Sequence, residues 1–404
     1  MINSPHKTTF SNIDLAPKDP ILGITESYNN DVNPNKINLG VGVYYDENGN
    51  IPLLECVKLA ETFILEKCSS KVYQPIDGNK KFNFEVQKLI FGSESDLIQS
   101  NKAVTVQTLG GTGALKIGAD FLKKFFPSSQ VWISNPSWEN HKAIFETAGF
   151  KVNCYDYYND NTHDVNFDEM YTQLNKIPSY SIIIFHASCH NPTGADLNSS
   201  QWDQIIELIK FRHLIPFLDM AYQGFSGPVE LERVLIKKFV SSLVPILISN
   251  SFSKSFSLYG ERIGALSIVS QNSNESNKIL SQLKRLIRTN YSSPPTHGGQ
   301  IITLCLSETE LRKIWEEELS NMRTRIIDIR ESLVKKLKIH SPNQNFNFII
   351  NQKGMFSYSG LKKENVEILR RNYSIYIIET GRICVAAINN KNLDYISKAI
   401  SKAL

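Results

Sequence analysis

The residues best suited to chemistry lie between positions 249 and 262, in the run Ser-Asn-Ser-Phe-Ser-Lys-Ser-Phe-Ser-Leu-Tyr-Gly-Glu-Arg. Lys254 stands among five serines (Ser249, Ser251, Ser253, Ser255 and Ser257), and Arg262 follows eight residues later. Apolar runs flank the stretch, Ile246-Leu-Ile248 before it and Ile263-Gly-Ala-Leu-Ser-Ile268 after it. They read as buried strands, with the lysine on the turn between them. An amine fixed at a strand end, away from bulk water, loses its proton more readily and attacks a carbonyl. Serines and an arginine beside it offer donors to a phosphate. A lysine able to form a Schiff base next to a phosphate cradle describes a pyridoxal phosphate site. On spacing alone, the competing reading is a polar loop with a solvated lysine.

Other candidates end other apolar runs. Leu109-Gly-Gly-Thr-Gly113 joins a strand to a helix. Its free backbone N–H groups and the helix dipole, with a hydroxyl from Thr112, favour an anion there, or the run is simply a tight turn. It is neither a dinucleotide fingerprint nor a Walker sequence. Asp219 follows Leu214-Ile-Pro-Phe-Leu218 and needs a cationic partner if buried. A protonated pyridine nitrogen, a helix cap or an arginine would each serve. Tyr222 donates to a phenolate oxygen or packs in its loop. Asn191, after His186-Ala-Ser-Cys-His190, binds a ligand or caps an Asx-turn. The two histidines leave a strand for an Asn-Pro turn rather than sharing a helix face, so no metal is expected. Trp138 stacks on a flat ring or sits in the core. Arg382 and Arg288 are either carboxylate clamps or salt-bridged surface residues.

These positions need a scaffold. From about residue 50 to 305, short β-rich runs alternate with helical periods. Ala103-Val-Thr-Val-Gln107, Val131-Trp-Ile133, Val152-Asn-Cys-Tyr155 and Ser181-Ile-Ile-Ile-Phe-His186 read as strands. Asn198 or Ser199 caps a helix carrying Trp202, Ile205, Ile206 and Ile209. The pattern predicts an α/β fold, a mostly parallel sheet covered by helices, with ligands beyond the carboxyl ends of the strands. Ile37-Asn-Leu-Gly-Val-Gly-Val-Tyr44 reads as a further strand, with Gly40 and Gly42 open to close approach. Ser307-Glu-Thr-Glu310 reads as a capping box opening a long helix. Phe348-Ile-Ile350, Ile375-Tyr-Ile-Ile378 and Ile383-Cys-Val-Ala386 read as short strands before a closing helix over 393–403. The expected division is a large domain over 49–309 and a smaller α+β domain from 1–48 and 310–404. Residues 1–36 are expected to be an extended or irregular arm, with one apolar cluster at Ile21-Leu-Gly-Ile24.

Composition narrows the function classes. Hydrophobic residues make up 41% and charged residues 21% of 404, as in a globular protein with a sizeable core. A net charge of +4, with no basic block, gives no reason to expect nucleic acid. No apolar run is long enough for a bilayer span. The first residues lack signal and transit patterns, and the six cysteines form no C-x-x-C pair. A cytoplasmic protein is expected.

Taken together and in order, these segments resemble the aspartate aminotransferase family. The resemblance is carried by Leu39-Gly-Val-Gly-Val-Tyr44, Tyr73-Gln-Pro-Ile-Asp-Gly78, Gly110-Gly-Thr-Gly-Ala-Leu115, Pro136-Ser-Trp-Glu-Asn-His141 and His190-Asn-Pro-Thr-Gly194. It continues through Asp219-Met-Ala-Tyr-Gln-Gly224, Ser251-Phe-Ser-Lys254, Tyr259-Gly-Glu-Arg262, Ser293-Pro-Pro-Thr-His-Gly298, Gly354-Met-Phe-Ser357 and Thr380-Gly-Arg382. It implies a fold-type I pyridoxal phosphate enzyme, a homodimer with sites at the subunit interface. By motif, Lys254 would carry the cofactor and move the proton. Asp219, supported by His141, would partner the ring nitrogen. Tyr222 and Asn191 would bond the ring oxygen, and Trp138 would stack on the ring. Gly111, Thr112, Ser251, Ser253 and Arg262 would hold the phosphate, with Tyr73 reaching in from the neighbour. Arg382 would grip the α-carboxylate, helped by Asn191, Trp138 and the Gly42 backbone. Arg288, also from the neighbour, would grip the distal carboxylate. The implied reaction converts L-aspartate and 2-oxoglutarate to oxaloacetate and L-glutamate by a ping-pong route.

Departures from the family pattern are Ser293 in place of an asparagine, Gly110 in place of a serine, Tyr45 in place of an arginine, and a poor match over 1–20. The alternative within the family is an aromatic-amino-acid aminotransferase. A decarboxylase or lyase on the same fold, a catalytically silent regulator and a nicotinamide-dependent dehydrogenase are more distant readings.

Overall fold

The computed structural model describes residues 8–16, 20–68 and 70–404, and the side chains of 20–22 fall outside that description. A seven-stranded sheet forms the centre. Its spatial order is Ala103–Leu109, Ile263–Val269, Leu247–Ser251, Ile215–Met220, Ile182–His186, Val131–Asn135 and Val152–Asp156. Ile263–Val269 runs antiparallel to both neighbours, and every other pairing is parallel. The central strands are buried along their whole length, as helices on both faces require, with polar residues at the carboxyl ends of Ile182–His186 and Leu247–Ser251. One apolar layer fills the space under the helices Gly110–Phe125 and Ser273–Asn290, and a larger one covers the opposite face and continues into the carboxyl-terminal part.

Strand register decides which side chains can meet. His186 pairs with Asp219, and Asp219 pairs with Ser249, on three neighbouring parallel strands. Their carboxyl ends therefore bring His186, Asp219 and the lysine loop together. Gly264, on the antiparallel strand, lies opposite Ser251. A Cβ there would come within 2.4 Å of the Gly110 backbone, so glycine is needed for the Gly-rich turn to close on the lysine loop.

The structure departs from the sequence reading at several elements. Of the two cap candidates, Asn198 forms the box, with Gln201 answering. No capping box forms at Ser307. The preceding helix, His297–Ser307, runs through that residue, and its hydroxyl turns to Glu308. The long helix, Thr309–His340, starts without a side-chain cap. Phe348-Ile-Ile350 is a short helix, Phe348–Asn351. Asn345 accepts the Asn347 N–H and starts a turn there, overriding the β preference of the apolar trio. The strand comes later, at Phe356–Tyr358, paired with Arg382–Cys384. Only Ile375–Tyr376 of the 375–378 run is paired, and 385–387 is a single 3₁₀ turn.

The expected strand 37–44 is paired only at Ile37–Asn38, against Ile375–Tyr376. Asn38 then accepts the Gly40 N–H and bends the chain away. The expected arm contains a helix, Pro20–Asn30. Its apolar cluster at Ile21 and Leu22, and residues 1–7 and 17–19 of the arm, lie outside the described side chains. The helix Leu393–Ala403 packs along Thr309–His340, as the sequence suggests.

Candidate active site

At the carboxyl ends of the central strands lies a cavity of about 240 Å³. Its walls come from the Gly-rich turn, the Trp138 loop, Asn191, the Asp219–Tyr222 stretch, the lysine loop, Phe356 and Arg382. Lys254 is the amine in this wall, with Nζ 5.2 Å from the centre of the Tyr222 ring. Removal from water, with Arg262 and Arg382 nearby, pulls its pKa down to about 8 against the opposing pull of Asp219. About a tenth of the amine is therefore neutral at pH 7, far more than for an exposed lysine, and able to attack a carbonyl.

Asp219 faces the same cavity and is buried. Burial alone would raise its pKa. The hydrogen bond and charge of His141, then His186 and Lys254, outweigh that and hold the carboxyl below its usual range. His141 Nε2 lies 2.9 Å from Asp219 Oδ2, and its Nδ1 lies 3.0 Å from the Ser137 hydroxyl. An ionised carboxylate deep in a cavity, backed by a histidine, suits a ligand that presents a protonated ring nitrogen. Burial also pushes the Tyr222 phenol well above its usual value, so it remains a donor.

His186 completes this wall. Burial and the His141 charge push it down to about 3, leaving it neutral. Its ring meets that of His190 edge-on at 4.5 Å, while the His190 nitrogens face Ser134 and Thr193. His186, His141 and Asp219 offer ligand atoms within 4.8 Å of one another, the residue types of a metal site. Both nitrogens of His141 are already met by Asp219 and Ser137 in this arrangement.

The Gly-rich turn supplies the anion-binding end. The helix Gly110–Phe125 begins there, and its first-turn N–H groups have no intrahelical acceptors. Thr112, Ser251, Ser253 and Arg262 line the same end. Arg262 Nη1 donates to the Ser253 hydroxyl at 3.3 Å and to the Tyr259 carbonyl at 3.1 Å. A Cβ at Gly110, which has φ +68°, would sit 2.7 Å from Arg262 Nη2. One at Gly111 would sit 3.1 Å from the Ser251 Cβ. Both glycines thus keep open a cradle that a side chain would fill, and the donor set fits a phosphate.

Arg382 closes the other end. It is almost fully buried and lies 4.1 Å over the Phe356 ring. Nη1 donates to Asn191 Oδ1 at 3.0 Å and Nη2 to the Gly40 carbonyl at 2.6 Å, while Nε has no acceptor. A buried guanidinium with an unmet donor is suited to a carboxylate. Gly42 lies against the same aromatic, where a Cβ would come within 2.6 Å of the Phe356 ring. Trp138 lines the cavity and meets His141 edge-on at 5.3 Å.

Twelve of the sequence candidates are brought together: Gly42, Gly111, Thr112, Trp138, Asn191, Asp219, Tyr222, Ser251, Ser253, Lys254, Arg262 and Arg382. Two are not. Tyr73 is 94% exposed, and Arg288 ends an exposed helix turn with its guanidinium on Ser292. Sequence reasoning gave no role to His186, Tyr259 or Phe356, which also line the cavity. His186 and Tyr259 fall within or beside runs already singled out, so proximity to those motifs was the available signal. Glu232 was missed as well. Its buried Oε1 accepts from the Ser188 and Ser226 hydroxyls, tying the loop before Asn191 to the loop after Tyr222. A larger cleft, about 820 Å³, opens at the opposite ends of the strands, around Lys102, Val244 and Gln271. None of its lining side chains has a buried polar atom left unmet.

Comparison with known proteins agrees with this geometry. The family model described as aminotransferase class I and II matches residues 34–400. An aspartate aminotransferase of Pseudomonas aeruginosa is 51% identical over 395 residues, 98% of this chain and 99% of that protein. An aromatic-amino-acid aminotransferase of Escherichia coli is 44% identical over 396 residues, 98% of this chain and 100% of that protein. A crystal structure of an aromatic-amino-acid aminotransferase from Burkholderia pseudomallei, covalently bound to pyridoxal phosphate, superposes with a TM-score of 0.96 at 52% identity. It covers 98% of this chain and 100% of that one.

Proposed function

The chain belongs to the class I and II aminotransferases, and from that premise we propose that it moves an amino group from L-aspartate to 2-oxoglutarate. The products are oxaloacetate and L-glutamate, formed by a ping-pong route with pyridoxal phosphate as cofactor. One observation carries the reading: a neutralisable lysine, an ionised aspartate and a buried arginine with an unmet donor share one cavity. When bound, pyridoxal phosphate stores the amino group between half-reactions and accepts the electrons released at Cα. The chain's residues do the rest. Lys254 takes the Cα proton. Asp219, backed by His141, keeps the ring nitrogen protonated. Tyr222 and Asn191 bond the ring oxygen, and Trp138 stacks on the ring. Gly111, Thr112, Ser251, Ser253 and Arg262 hold the phosphate. Arg382 grips the α-carboxylate, with Asn191 and the Gly40 carbonyl aiming its fork. The test is keto acid formed from aspartate, compared with phenylalanine, in the absence of an acceptor.

A second reading, transamination of aromatic amino acids, is favoured by one observation. The B. pseudomallei relative carrying that name is 52% identical to this chain, against 51% for the P. aeruginosa aspartate enzyme.

The proposal includes a homodimer with shared sites. A dicarboxylate needs a second cation, and among the described residues of one chain the cavity offers only Arg382 besides the phosphate-end Arg262 and Lys254. Leu53, Phe63, Leu65 and Val72 are exposed in the segment leading to Tyr73, apolar surface suited to a second copy. Tyr73 of the partner subunit would reach the phosphate, and Arg288 of the partner subunit the distal carboxylate. Within each chain, 49–309 would form the cofactor-binding domain, and 1–48 with 310–404 the smaller one. A cytoplasmic location belongs to the same reading, supported by six cysteines of which none is paired. Among the described residues, no helix is long and apolar enough to cross a membrane.

Sharing has an arithmetic consequence. Lys254→Ala and Arg288→Ala should each be nearly inactive with aspartate. Mixed equally and allowed to re-form, half the dimers carry one of each chain. In such a dimer one site has both lesions and the other has neither. Activity should recover to roughly a quarter of wild type, as two-fold exchange requires. Verified mixed dimers with no regained activity would place both residues in one chain's site.

A further inference from the structure

We propose that Tyr259 is a positioning residue that couples the phosphate end of the cavity to the carboxylate end. The inference rests on Arg382 being the carboxylate-binding group. Tyr259 lines the cavity midway between Lys254 and Arg262 in sequence. Its two oxygens face opposite tasks. The main-chain carbonyl accepts from Arg262 Nη1 at 3.1 Å, so it helps aim the guanidinium at the phosphate cradle. The phenol oxygen accepts the Tyr44 N–H at 2.8 Å.

Tyr44 ends the bent segment 39–44, which forms part of the carboxylate end. Gly40 supplies the carbonyl that Arg382 Nη2 donates to, and Gly42 presses on Phe356, the ring under Arg382. The segment is otherwise held from the carboxyl-terminal side. Leu39 accepts the Cys384 N–H, and Val43 accepts from the Cys384 thiol. Among the described residues, Tyr44 N–H to Tyr259 is the hydrogen bond that runs directly from this segment to the lysine-bearing loop. One phenol oxygen therefore fixes the distance between the chain that aims Arg382 and the chain that carries Lys254 and Arg262. Burial keeps that phenol protonated, since its pKa is pushed above the usual value.

Removing the oxygen leaves the ring in place. The Tyr44 N–H then lacks an acceptor in a partly buried position, a defect worth a severalfold to hundredfold change in local equilibrium. The defect falls on the segment that aims Arg382 and not on the groups that move the proton. It should therefore appear in carboxylate affinity and leave saturated turnover largely unchanged.

The experiment is Tyr259→Phe in the holoenzyme, read in three ways. Hydrogen exchange at the Tyr44 amide should speed up by about tenfold or more. The dissociation constant of succinate, a non-reacting dicarboxylate, and KM for aspartate should both rise about tenfold. Saturated kcat and pyridoxal phosphate affinity should stay within about twofold. Unchanged exchange at Tyr44 with unchanged succinate affinity overturns the proposal. So does a parallel fall in kcat, cofactor affinity and melting temperature, which marks a general packing defect. The exchange measurement needs no substrate or turnover, so it decides the coupling independently. A wild-type enzyme that does not transaminate aspartate would count against the functional reading alone.

Discussion

Lys254→Ala is expected to lower aspartate transamination by at least about 10⁴-fold, because positioned proton transfer and the covalent hold are lost together. The lysine is the one amine lining the cavity, and its lowered pKa of about 8 keeps a working fraction neutral. No other cavity group can replace it as a base at neutral pH. Tyr222 is pushed up by burial and stays protonated, and His186 is pushed down to about 3, too weak a base. The variant should still take up pyridoxal phosphate non-covalently, through Asp219 and the phosphate cradle. Melting temperature should not fall, since the substitution removes an amine that burial disfavours. Turnover is measured at saturating aspartate, and cofactor attachment by borohydride reduction and peptide mapping. Wild type should carry the reduced cofactor on Lys254 and the variant on no residue. Residual turnover within about tenfold of wild type would refute the proton-transfer role.

Asp219→Ala is expected to have the next largest effect, a loss of about 10³-fold in kcat with a much smaller change in KM. By keeping the ring nitrogen protonated, the carboxylate would let the bound cofactor accept the electrons released at Cα, a benefit realised mainly in the transition state. A second consequence is structural. His141 Nε2 loses its buried partner, which costs about 1–3 kcal/mol. The catalytic loss should exceed what that destabilisation explains, and a melting curve at the assay temperature separates the two. Near-normal kcat in Asp219→Ala would remove the electron-sink role.

Residue types at strand ends made much of this site legible. A lysine among serines between apolar runs, an aspartate closing a buried strand, and a Gly-rich strand–helix turn each carry their physical motive locally. The register that sets His186 against Asp219 is a property of strand pairing and is not visible in either segment. Gly42 could be noticed as a glycine, but its cause is Phe356, more than three hundred residues away. Tyr259 likewise acts on Tyr44 across 215 residues. Local signals failed where neighbouring turns and helices overrode them. The Phe348 run has β propensity, yet an Asn345 turn makes it helical, and Ser307 has cap chemistry but is the last residue of the preceding helix. Arg288 and Tyr73 are assigned only through a resemblance; among the described residues Arg288 meets Ser292 and Tyr73 is exposed, and neither lines the cavity.

The central claim, that the chain takes the amino group from a dicarboxylic amino acid and holds it for a second substrate, is tested most directly by one half-reaction. Purified holoenzyme is given excess L-aspartate and no keto acid, with L-phenylalanine in a parallel sample, and the keto acid formed is counted. The account predicts about one oxaloacetate per chain, then no more until 2-oxoglutarate is added, as a ping-pong route requires. Phenylalanine at matched concentration should react more slowly. Faster reaction with phenylalanine would transfer the assignment to the aromatic reading. No oxaloacetate, continued formation without an acceptor, or release of carbon dioxide in place of the keto acid would contradict the account.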